Sequence, residues 1–140
     1  MGLCLHVFSC DLSEDADEDP EELAECDVGH YSDFGYFRDT IANNLDASRY
    51  PTLMEHSDCD STWSCEEIPL LEHELHEIAD HFKQLPPVEP VGAFEHTSEF
   101  RHDAASLYDC FHNVTGENLF EALLSLCAVA REHQRPITFM

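Results

Sequence analysis

A chain of 140 residues, 43% of them hydrophobic, is long enough for one domain with a single core and too apolar to stay disordered. Thirty Asp and Glu stand against six Lys and Arg, giving a formal charge of −24. That field repels nucleic-acid phosphates and anionic membrane surfaces, which excludes both as partners, and it draws cationic partners from a distance.

Leu3–Ser9 alternates, with Leu3, Leu5 and Val7 on one side and Cys4, His6 and Phe8 on the other. This period of two predicts a strand. The next stretch, residues 11–27, holds ten Asp and Glu among seventeen residues and no Lys or Arg. It reads as an acidic loop reaching to about residue 28, with one helical turn allowed over Pro20–Glu25. Phe34, Phe37, Ile41 and Leu45 then line one face of a helix, with Ser32 as its N-cap and Asp33 in its first turn. Gly35 weakens that helix by about 1 kcal/mol. Its presence suggests a close backbone approach or a partner lying over the turn.

Tyr50–Ser57 reads as a short strand, and the polar stretch after it as a loop holding the single tryptophan, Trp63. Leu71, Leu75, Ile78 and Phe82 mark a second helix. Ser64 and Glu67 have capping-box spacing, but Pro69 lacks the N–H that a fifth helical residue must donate, so the helix is placed from near Pro69 to the Leu85–Pro87 stop. Residues 86–98 carry three Pro and read as a loop, and the segment around Tyr108 fits either a helical turn or a strand. A last helix is expected from about Gly116 to His133 with Thr115 as cap, followed by a terminal strand after Pro136. The expected architecture is α+β: one domain over residues 1–140, with a small, mostly antiparallel sheet against about three helices.

Chemical motifs fail on spacing. His73–His76 approaches the H-E-x-x-H zinc pattern, but the second His falls at i+3, off the face of the first, and the better reading is a solvated surface. Asp58, Asp60, Thr62 and Ser64 fit the first ligands of a calcium loop, yet Trp63 stands where Gly makes the turn and Pro69 where a bidentate Glu closes it. His56, Cys59 and Cys65 lack an evident fourth zinc ligand. Seven Cys without paired C-x-x-C spacing read as thiols of a reducing compartment, with Cys4, Cys110 and Cys127 as small core residues. No basic, apolar leader opens the chain and no apolar run spans a membrane, so a cytoplasmic location is expected. No catalytic residue, cofactor or metal ligand is assigned, and the residues taken alone describe an acidic binding module.

Three phrases belong together: YSDFGYFRDTI (Tyr31–Ile41), PTLMEHSDCDSTWS (Pro51–Ser64) and SLYDCF (Ser106–Phe111), followed by an amphipathic helix and a closing strand. With them the sequence resembles the immunity protein 70 family of bacterial polymorphic toxin systems, over most of the chain except residues 11–27. The resemblance implies an α+β protein, encoded beside a secreted toxin, that protects the producing cell by binding that toxin. The expected partner is therefore a cognate toxin domain of basic character, blocked one to one by an acidic surface, with a homodimer left open. The family marks no contact residues, so physical criteria choose them: aromatic anchors with charged complements, namely Asp33, Tyr36, Arg38, Asp58, Asp60, Trp63, Tyr108 and Asp109, with Arg38 as a clamp on one carboxylate. For Trp63 and Tyr108 the core is an equally good place. The rival reading is a hydrolase, metal-dependent or Cys/His, acting on a small molecule or a toxin-made modification.

Overall fold

The computed structural model describes residues 2–9, 21–55, 62–87 and 105–139. The fold is α+β, with a four-stranded sheet whose paired neighbours are all antiparallel.

Strand β1 (Gly2–Phe8) follows the alternation expected of it. Leu3, Leu5 and Val7 are fully buried, while Cys4, His6 and Phe8 lie half-buried on the other face. Strand β2 (Glu22–His30) pairs with β1 and replaces both the C-terminal part of the expected acidic loop and the helical turn at Pro20–Glu25. The reason is visible in the side chains. Cys26 and Val28 turn into the core while Glu25 and Asp27 face solvent, so the strand keeps its period of two even though its outward positions are acidic. Ser9 N–H donates to the Glu21 carbonyl at 2.8 Å, and Glu21 N–H to Ser9 Oγ at 2.9 Å, closing the open end of the strand pair. Residues 10–20, the rest of the acidic stretch, lie outside the described residues.

Helix α1 (Tyr31–Asn44) begins one residue ahead of Ser32, which therefore belongs to its first turn and is not the cap. Phe34, Phe37 and Ile41 are fully buried at the spacing that the sequence shows. Gly35 is a correction. A Cβ built there meets nothing within 4 Å, so no described backbone needs the missing side chain. Gly35→Ala is accordingly expected to stabilise α1 by about 0.5–1 kcal/mol and raise Tm by about 2–4 °C. A lowered Tm in thermal unfolding would show that the turn is covered.

The strand expected at Tyr50–Ser57 is instead a 3-10 turn (Ala47–Arg49) and a short helix α2 (Pro51–Met54), with Pro51 suited to the first helical position. What holds α2 comes from far along the chain. The Glu74 carboxylate accepts hydrogen bonds from Thr52 N–H (3.3 Å) and Leu53 N–H (3.0 Å), and Trp63 Nε1–H donates to the Thr52 carbonyl (2.9 Å). Strand β3 (Thr62–Trp63) stands where a polar loop was expected.

Helix α3 (Ile68–Phe82) reconciles the capping box with Pro69. Ser64 N–H donates to Glu67 Oε1 (3.1 Å) and Glu67 N–H to Ser64 Oγ (3.3 Å), but across a turn that precedes the helix, so Pro69 falls in its first turn. A 3-10 turn (Leu107–Cys110) settles the ambiguous segment around Tyr108. Helix α4 (Leu119–His133) starts later than expected, and its cap is Asn118, whose side chain accepts from Glu121 N–H, in place of Thr115. Strand β4 (Ile137–Phe139) completes the sheet in the order β2-β1-β4-β3. Helices α1 and α4 pack on β1 and β2, and α3 packs on α4. The core between these layers is centred on Phe37, Phe82, Phe111 and Phe120, with edge-on contacts of 5.1–5.5 Å from Phe37 to Phe111 and Phe120 and from Phe82 to Phe120.

Candidate partner-binding surface

Two of the expected anchors sit on the rim of this aromatic cluster. Tyr36, half-buried on α1, packs against Phe111 at 5.9 Å. Tyr108, half-buried in the 3-10 turn, stacks on Phe120 at 5.2 Å, and Lys83 Nζ lies 4.7 Å from its ring centre. Phe37 touches both Phe111 and Phe120 and so links the two positions. Asn118 ties the turn down through a 3.0 Å bond to the Tyr108 carbonyl. Burial, then the negative charges of Glu121 and Asp109, push the Tyr108 phenol upward, which keeps it a neutral hydrogen-bond donor. Asp109 lies beside it and accepts from Ala105 N–H.

Of the other expected residues, three are described. Asp33 is buried, and the Arg38 guanidinium sits 4.4 Å from the centre of the Phe34 ring. Trp63 exposes none of its surface and packs edge-on to Phe139 at 4.7 Å, so it is a core residue of the β3–β4 pair. Asp58 and Asp60 lie outside the described residues.

Charge is distributed in a way that composition alone does not show. Arg49 bonds Glu77 at 2.8 Å, Arg131 makes two bonds to Glu72 at 2.7 and 2.9 Å, and Arg135 donates to the Phe8 carbonyl at 2.8 Å. With Arg38 over Phe34 and Lys83 over Tyr108, every described cationic side chain is engaged within the molecule. The acidic excess is left facing solvent, including Glu21, Glu22, Glu25 and Asp27 at the β2 edge of the sheet. At His73–His76 both imidazoles are exposed, the solvated surface expected there, and Glu77 bonds Arg49.

Sequence reasoning missed Glu74, which the H-E-L-H string disguised as surface, and it missed β2, whose acids hid the alternation. It also placed Cys4 in the core. Cys4 lies on the outer sheet face, and the core cysteine of the strand pair is Cys26. Cys4, Cys26, Cys65, Cys110 and Cys127 are free thiols. Burial pushes the Cys26 and Cys127 thiols from 9.0 up to about 12. In the unfolded chain these thiols ionise at their ordinary value, so the stability they confer is complete below pH 9.0 and is lost as pH rises toward about 12. Above pH 9.0 the loss from the two together is expected to be about 3 kcal/mol per pH unit, read from urea midpoints in the presence of a reductant.

The sequence matches the family model described as immunity protein 70 over residues 13–139. The chain belongs to the immunity protein 70 family. No curated protein and no solved structure matches it. The match begins at residue 13 and so covers most of the acidic stretch, which the sequence phrases alone had left out. No helix among the described residues of this family member is long and apolar enough to cross a membrane.

Proposed function

We propose that this immunity protein binds its cognate toxin domain one to one and blocks a basic active-site cleft with its acidic surface, without turnover. The observation that carries the reading is the commitment of every described Lys and Arg to an internal partner, which leaves the acids to face an incoming cation. Tyr36 and Tyr108, with Asp109, serve as anchors: they combine half-exposed aromatic area with backing from a rigid core, which limits the entropy lost on binding. The compartment is the cytoplasm of the producing cell, where free thiols persist.

Co-expression with the toxin domain encoded beside it, followed by titration, tests this. A stable one-to-one complex with activity lost at one equivalent is expected. Protection at far less than one equivalent without a complex would overturn blockade in favour of a hydrolase. Within the complex, Tyr36→Ala and Tyr108→Ala are each expected to speed dissociation by about 30-fold, the equivalent of about 2 kcal/mol for an anchoring aromatic. Unchanged off-rates would move the interface elsewhere.

A further inference from the structure

The outer face of the sheet brings Cys4 and His6, which the toxin-binding reading does not use, up to the acids of β2. Cys4 and His6 stand two residues apart on β1 and so share that face, and His6 lies directly opposite Glu25 on β2. One ligand atom from each of Cys4, His6 and Glu25 lies within 4.8 Å of the others. We propose that Cys4, His6 and Glu25 form a binding site for a divalent transition cation of the zinc class, with water in the fourth position.

The donor set is one that zinc takes: thiolate, imidazole and carboxylate. Tetrahedral coordination at ordinary bond lengths puts neighbouring ligand atoms about 3.3–3.6 Å apart, so the group needs to contract by at most about 1–1.5 Å. Glu25 is exposed, so a change of rotamer there supplies that contraction without disturbing the core. His6 is held for the purpose. Its ring stacks on Phe8 with centroids 5.4 Å apart, and its Nδ1 hydrogen-bonds Glu22 Oε1. A carboxylate on Nδ1 fixes the tautomer that leaves the Nε2 lone pair open, the arrangement found behind metal-bound histidines. Asp27, opposite Cys4, adds to a local negative charge that a dication neutralises. On binding, the Cys4 proton passes to solvent and the thiolate closes on the metal.

The site lies on the sheet face opposite the helices, and its test reads metal on the protein without toxin, so its outcome does not depend on the toxin complex. The test uses the full chain, zinc with a competing chromophoric chelator, and cobalt(II) as a spectroscopic substitute. One equivalent of zinc is expected, with a thiolate-to-cobalt charge-transfer band in the near ultraviolet. Cys4→Ser should abolish the band and Cys65→Ser, at an exposed cysteine, should keep it. Glu22→Gln, which only supports His6, should keep the band and weaken affinity by about 10–100-fold. Glu25→Gln, at an exposed position, should weaken affinity without touching the thiol or the core. Absence of stoichiometric zinc, a band that survives Cys4→Ser, or affinity untouched by Glu25→Gln would overturn the proposal.

Discussion

Changing the seven acids between Asp11 and Glu21 to Asn and Gln is expected to slow capture of the toxin by at least about tenfold at low salt, with the dissociation rate nearly unchanged. The argument is one of distance. Long-range attraction acts before contact, so it enters the association rate, whereas dissociation is set by short-range contacts that the substitutions leave alone. These seven acids are among the thirty of the chain, which only six Lys and Arg oppose. Raising the salt shortens the screening length to about 3 Å at 1 M and should erase the difference between the two proteins. Stopped-flow association across a salt series reads this directly. Faster dissociation at an unchanged association rate would mean that the segment docks on the toxin and does not steer it.

Trp63→Ala is expected to cost about 3–5 kcal/mol of stability, a large share of the roughly 5–15 kcal/mol that holds a typical domain folded. The indole is fully buried, stacks edge-on with Phe139, and donates its N–H to the Thr52 carbonyl. Truncation therefore opens a large cavity and also leaves a carbonyl of α2 without its donor. Trp63→Phe separates the two effects. It keeps aromatic volume against Phe139 and removes only the donor, so a loss of about 1–2 kcal/mol is expected in urea unfolding. At a temperature where that variant stays folded, its toxin affinity should equal that of the unaltered protein. An affinity loss without a stability loss would return Trp63 to the interface.

The comparison of Trp63 with Tyr108 shows what local sequence can resolve. Both are aromatics flanked by acids in polar stretches, and the sequence leaves core and surface equally open for each. Structure separates them because β3 pairs with β4 and turns Trp63 inward, while the 3-10 turn leaves Tyr108 at the edge of Phe120. Neither outcome depends on the residues next in sequence. Glu74 makes the same point: its string reads as solvated surface, yet the carboxylate is buried because α2 presents two free N–H groups to it.

By itself the sequence determined the acidic character, the α+β class, the family, the terminal strand β4 after Pro136, and the elements whose apolar periodicity is strong: β1, α1, α3 and α4. Those follow from side-chain spacing within one segment, which is local information. Tertiary structure alone decided that the acids of residues 22–27 belong to a strand, that Trp63 is core, that Tyr36 and Tyr108 border one aromatic cluster, and that Cys4, His6 and Glu25 meet on one face. Each of these depends on contacts between segments distant in sequence. Strand pairing and helix packing set burial there, and they override what charge and propensity favour locally.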